Sequence, residues 1–243
     1  METYCQTDVG LKRNSNQDFV YASDQKVGRL PSLLIVADGM GGHAAGDLAS
    51  RVCVETAVSS IEGSGKTGTI PILAEAVQKA NQAVLKKAAE KPEYEGMGTT
   101  IVAAVIEGNT LYVANVGDSR LYLIDDDRID QITLDHSLVA EMVRSGRISP
   151  EQMRNHPEKN IITRAVGGEE NVEADFFDVG LHKGDVVLLC SDGLTNMVED
   201  EQIFRIVRRE KTLRDAGQKL ISAANSAGGR DNISVVLARL TDL

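Results

Sequence analysis

Residues 33–37 read LLIVA, five apolar positions with no polar alternation, as in a strand covered on both faces. The run passes straight into Asp38-Gly39. Ala45, Leu48, Ala49, Val52 and Cys53 then fall at i, i+3, i+4, i+7 and i+8, which predicts a helix with one apolar stripe. Leu73, Ala76, Val77, Ala80 and Val84 draw a second such stripe, and residues 63–68 between the two read as a loop. From 99 to 124 the texture changes to β, with turns at Glu107-Gly108-Asn109 and Gly117-Asp118. Residues 138–143 look helical, and Ser149-Pro150-Glu151-Gln152 is a helix start with Ser as N-cap. Strands are expected over 175–179, 186–190 and 233–240, and helices over 200–209 and 213–227. No linker, repeat or low-complexity stretch divides the chain, so 1–243 reads as one domain. Antiparallel strands with helices grouped in pairs predict an α+β fold, sheet packed on sheet with helices outside.

Composition adds exclusions. At 243 residues, 42% hydrophobic and 26% charged, the chain buries enough surface to need no disulfide or structural metal. Any metal it binds is then expected to serve chemistry. A net charge of −10 makes nucleic acid and anionic membranes poor partners. No apolar run approaches the roughly 20 residues of a membrane span. The first residues, METYCQTDVG, lack the basic and apolar regions of a signal peptide, so the cytoplasm is expected and the Asn232-Ile233-Ser234 sequon is taken as chance. Cys5, Cys53 and Cys190 are odd in number and form no C-x-x-C, which suggests buried free thiols.

The candidate chemistry lies in where aspartates fall. Asp38 follows LLIVA and Asp192 follows VVLLCS, each with Gly next; Asp118 occupies a tight turn, and Asp231 precedes the last strand. A carboxylate beside an apolar run is costly to desolvate unless it is paired or metal-bound. Gly after Asp is expected to let the backbone turn sharply and a carbonyl approach an ion. Oxygen donors without His or Cys suit Mg²⁺ or Mn²⁺. Two such ions about 3.5–4 Å apart can deprotonate water and neutralise a phosphoryl group. The bland alternative is that Asp-Gly is turn chemistry; two matched contexts among four strand-end aspartates favour metal.

In this order along the chain, Gly10-Leu-Lys-Arg13-Asn-Ser-Asn16-Gln17-Asp18, Val36-Ala37-Asp38-Gly39-Met40-Gly41-Gly42-His43, Gly98-Thr99-Thr100, Ala114-Asn115-Val116-Gly117-Asp118-Ser119-Arg120, Cys190-Ser191-Asp192-Gly193-Leu194 and Gly229-Arg230-Asp231-Asn232 resemble the motifs of the metal-dependent protein phosphatases, the PPM or type-2C family. Any one motif is weak; the ordered set is specific and spans nearly the whole chain. The resemblance implies a four-layer αββα sandwich of two antiparallel sheets flanked by helix pairs. It implies phosphoserine and phosphothreonine hydrolysis by a metal-bridged hydroxide, in line and without a phosphoenzyme. Asp38 would bridge two Mn²⁺ or Mg²⁺ ions, Gly39 would lend its carbonyl, and Asp192 and Asp231 would complete the set. Asp18 would act through ordered water, and Asp118 with Asp192 would hold a weaker third ion. Arg13 would grip the substrate phosphate, a task suited to a guanidinium fork. Phosphorylated proteins, including a bacterial Ser/Thr kinase and its substrates, are the implied partners of a monomer. Residues 144–163 resemble the family's mobile flap. Many relatives carry His where Met40 stands; Met cannot donate a proton, so water is expected to do so rather than His43.

Two other function classes fit the chain less well. Gly39-Met40-Gly41-Gly42-His43-Ala44 fits a dinucleotide fingerprint, but Asp38 would repel the pyrophosphate and no second parallel strand follows. Gly63-Ser64-Gly65-Lys66-Thr67 fails as a P-loop because Ser60 stands where Gly is required. A catalytically silent phosphopeptide-binding module would have lost a metal aspartate, and all are present here.

Overall fold

The computed structural model describes residues 1–41, 45–153 and 156–241. In chain order these form strands β1 (Glu2–Asp8), β2 (Asp18–Ser23) and β3 (Leu33–Met40), then helices α1 (Ala45–Glu62) and α2 (Thr69–Ala88). After a 3-10 turn at Pro92–Tyr94 come β4 (Gly98–Thr99), β5 (Ile101–Glu107), β6 (Thr110–Val116), β7 (Arg120–Ile124) and β8 (Ile129–Gln131). Helices α3 (Leu138–Arg144) and α4 (Pro150–Met153) follow, with strands β9 (Asp175–Gly180) and β10 (Val186–Cys190). The chain closes with α5 (Asp192–Thr195), α6 (Asp200–Arg209), α7 (Leu213–Ser226) and β11 (Ile233–Arg239).

One sheet runs β1-β11-β10-β7-β8, the other β2-β3-β5-β6-β9 with β4 beside β3, and the pairings are antiparallel. The unbroken apolar runs have a simple cause, because successive side chains on a strand point to opposite faces. Leu33, Ile35 and Ala37 pack under α1 and α2. Leu34 and Val36 point the other way, into the layer between the sheets, where they meet Leu121, Val187, Leu189 and Val236. On β10 the alternation repeats, with Val186, Leu188 and Cys190 packed among residues of α6 and α7. The layers are therefore helix pair, sheet, sheet, helix pair, as the resemblance implied.

This arrangement positions the site. Asp18 and Asp38 belong to the β2-β3-β5-β6-β9 sheet, Asp192 and Asp231 flank strands of the other, and Asp118 lies where β6 hands the chain across to β7. Each buried aliphatic side chain stabilises by roughly 1.5–3 kcal/mol, so the inter-sheet layer holds the two halves of the site in register. The same geometry rules out the dinucleotide reading: α1 leads into α2 and antiparallel strands, not a parallel βαβ unit.

Two expectations need correction, and two strands were not foreseen. Asp38 lies inside β3 rather than past its end, because β4 pairs with Gly39 and Met40 and prolongs the sheet. Strand β2 and the short β8 carry no periodicity that the sequence reading singled out; both are set by pairing with a neighbour. Cys53 and Cys190 are buried free thiols, but Cys5 is exposed, since β1 is an edge strand with one face toward solvent.

Candidate active site

At one end of the sandwich a cleft of about 480 Å³ is lined by Arg13, Asp38, Gly39, Asp118, Asp192 and Asp231, together with Met40 and, from the 144–163 segment, Asn160 and Ile162. Asp18 lies behind this wall, opposite Asp38 in the β2–β3 register. His43 lies outside the described residues.

The backbone of Asp38 is fixed from both sides. Its N–H donates to Thr100 Oγ1 at 2.9 Å, and its carbonyl accepts from Thr99 Oγ1 and from the Thr100 N–H, both at 2.9 Å. The Thr100 hydroxyl meets Ser119 Oγ at 2.7 Å, which ties this strand to the turn bearing Asp118. The Gly-Thr-Thr and Asp-Ser motifs thus act as clamps on a carboxylate. Asn232 does the same for the loop that carries Arg13: its Oδ1 accepts from the Gln17 N–H, and its Nδ2 donates to the carbonyls of Val9 and Ser15, all at 2.9 Å.

The glycines after Asp38 and Asp192 do not serve sharp turns. Neither has a positive φ. A Cβ on Gly39 would sit 2.0 Å from the Gly46 carbonyl oxygen, and one on Gly193 would sit 1.8 Å from that of Asn232. They allow backbones to approach, which is the second use of glycine. Gly117, with φ 107°, is the true turn glycine, and it presents Asp118.

Electrostatically the cluster is strained by like charge. Asp18 is 5% exposed, and its carboxyl is pushed up to about 7, first by burial and then by the charges of Asp192 and Asp231, against hydrogen bonds from two serines. Those serines, Ser191 and Ser234, donate to Oδ2 at 2.7 and 2.6 Å, while Oδ1 has no partner among the described residues. Burial also raises Asp192, to about 6, with Asp231 adding to it. Asp38 and Asp118 are both held well above the usual carboxylate range by burial and by neighbouring carboxylates. Among the described residues, no three Asp, Glu, His or Cys side chains close into a ready-made metal cage. Asp231 is turned to Arg13 at 2.7 Å, and Asp192 Oδ2 accepts from Asn196 at 2.7 Å. The donor set nonetheless fits a hard cation. It is all oxygen, crowded with repelling carboxylates, and backed by a buried acceptor that lacks a donor.

His136 lies outside the motifs that carry the resemblance. It is 4% exposed, and its Nδ1 accepts from the Gly117 N–H at 3.0 Å. That bond leaves the ring proton on Nε2, which donates to Asp175 Oδ2 at 3.0 Å. His136 therefore positions the Asp118 turn. Its signal in sequence was only a histidine flanked by Asp135 and Ser137, with nothing to mark the long-range bond.

With this geometry in view, the comparisons are unambiguous. A family model, protein phosphatase 2C, matches residues 11–237, and the chain belongs to that family. It is a serine/threonine protein phosphatase. The serine/threonine phosphatase stp of Listeria innocua is 43% identical over 98% of this chain and 95% of its own length. Among solved structures, the serine/threonine phosphatase Stp1 of Staphylococcus aureus has a TM-score of 0.92 and 36% identity, covering 99% of this chain and 95% of that one. The catalytic domain of the phosphatase PstP, solved with two manganese ions, has a TM-score of 0.87 and 37% identity, covering 99% and 98%.

Proposed function

We propose that the protein removes phosphate from phosphoserine and phosphothreonine in other proteins with two Mn²⁺ or Mg²⁺ ions held by Asp38, the Gly39 carbonyl, Asp192 and Asp231. Asp118 and Asp192 would hold a third, weaker ion, and Asp18 would act through water. Support comes chiefly from one observation: carboxylates from five separate stretches of chain converge on one end of the sandwich, with Arg13 among them. Divalent cations bound there make water a nucleophile at neutral pH and offset charge on the phosphoryl oxygens.

The chain's own residues do the rest. Arg13 exchanges Asp231 for the incoming phosphate, orients it, and leaves Asp231 to the cation. The clamped backbone of Asp38 keeps its carboxylate from following the substrate. The phosphoryl group would pass in line to water, without a covalent phosphoenzyme. Met40 lines the cleft but has no proton to give, so the leaving oxygen takes its proton from solvent. The protein would work as a cytoplasmic monomer, reversing a Ser/Thr kinase, with the 144–163 segment as a substrate-facing flap. No helix among the described residues is long and apolar enough to cross a membrane.

Phosphate release from a phosphothreonine peptide tests this. It should appear with Mn²⁺ and vanish with excess EDTA. Release that persists under chelation would remove the metal from the mechanism.

A further inference from the structure

Beside the metal cleft the rim opens into a smaller cavity of about 180 Å³, walled by Arg13, Lys159, Asn160, Asn196, Arg230 and Asp231. Three of these six side chains are cationic, on a chain whose net charge is −10. The one carboxylate, Asp231, is matched by Arg13 at 2.7 Å. Two cations remain over. Lys159 Nζ donates to the neutral Oδ1 of Asn196 at 3.3 Å and, among the described residues, forms no ion pair. It also faces Asp192 across the neighbouring cavity, a carboxylate assigned above to the cation. Arg230 is exposed and, among the described residues, has no ion pair or side-chain hydrogen bond.

The backbone at Arg230 is nevertheless anchored. The preceding Gly229 carbonyl accepts from the Leu11 and Lys12 N–H groups at 2.7 and 3.1 Å, so the backbone beside Arg230 is pinned to the loop that carries Arg13. Two guanidinium groups and an ammonium group thus border one concave surface. Like charges gathered in this way cost free energy unless an anion joins them. The cavity shares Arg13 and Asp231 with the catalytic cleft, so an anion in it lies close to the phosphate being hydrolysed.

We infer that this cavity is a subsite for a second anionic group on the same substrate chain, a phosphate or a carboxylate a few residues from the phosphoresidue under attack; the inference rests on the phosphatase site proposed above. In an extended peptide, two to three residues span roughly 7–10 Å, which matches a neighbouring cavity with a shared wall. The subsite makes the enzyme prefer multiply phosphorylated or acid-flanked sequences, although its surface as a whole repels them.

The test is steady-state turnover, with Mn²⁺ at low salt, of three phosphothreonine peptides that differ at one nearby position. That position carries Ala, Asp or a non-hydrolysable phosphonate. Wild type should favour an anionic peptide by roughly three- to tenfold in kcat/KM, and the preference should shrink with salt. Preference for the phosphonate alone makes this a phosphate subsite; preference for Asp as well makes it a general anion subsite. Arg230→Glu should reverse the preference while turnover of the Ala peptide and of p-nitrophenyl phosphate stays unchanged, and an unaltered melting temperature would confirm that it folds. Lys159→Ala gives a second, independent loss of preference. Equal turnover of all three peptides, or a preference that survives Arg230→Glu, would overturn the subsite and leave the phosphatase reading intact. No turnover of any peptide would remove both.

Discussion

Arg13 and Asp231 meet at 2.7 Å with both side chains substantially exposed, so their ion pair is worth little to folding and is free to exchange. Under the proposed function its value is in catalysis, where a planar guanidinium can hold two phosphoryl oxygens at once. Arg13→Ala should lower kcat/KM roughly ten- to hundredfold, mainly through KM, with little change in stability. Arg13→Lys should restore only part of the loss. Unchanged kinetics in Arg13→Ala would take Arg13 out of the site. The residues that line the cleft were legible in the sequence because short motifs mark them. What was not legible is how they are held. Thr99, Thr100, Ser119 and Asn232 stood in the motifs without a stated job, and His136 stood outside them. Their roles depend on hydrogen bonds between residues as distant as Gln17 and Asn232, which no local pattern announces.

Among the elements, the two Asp-Gly pairs separate a turn account from a packing account. Gly193 belongs to α5, a single helical turn wedged against the strand entry at Asn232. Gly193→Ala places a methyl group 1.8 Å from the Asn232 carbonyl oxygen, so backbone must move. The expected cost is about 1–3 kcal/mol in denaturant unfolding, with loss of activity as Asp192 and Asp231 are displaced together. A variant with wild-type midpoint and turnover would mean the contact relaxes freely. Long helices and covered strands such as α1, α2, β3 and β10 were readable because apolar period and length agree. Strand β2 was not, since Asp18–Ser23 has no clean alternation and owes its conformation to β3. The four-residue α5 was missed because so short a helix is set by its neighbours, not by propensity.

Across the whole molecule, the site is a store of electrostatic strain that a bound cation would relieve. Asp18 and Asp192 have carboxyls raised from 3.8 to about 7 and about 6. The folded protein therefore keeps protons that the unfolded chain has released. Their contribution to stability is present below about pH 4 and is lost as pH rises toward 7. A divalent cation replaces those protons, so the rise in melting temperature on exchanging EDTA for Mn²⁺ should be larger at pH 7.5 than at pH 5. An increment independent of pH would argue against cation binding at these carboxylates. The overall charge of −10 also makes the cationic rim decisive for attracting a phosphorylated partner. The central claim is that these carboxylates hold the metal on which turnover depends. Its most direct test is calorimetric titration of Mn²⁺ into chelator-treated wild type and Asp192→Ala. The account predicts binding of at least two ions by wild type, and binding weaker by at least roughly tenfold in a variant that stays folded. Equal Mn²⁺ binding by the two proteins would contradict it.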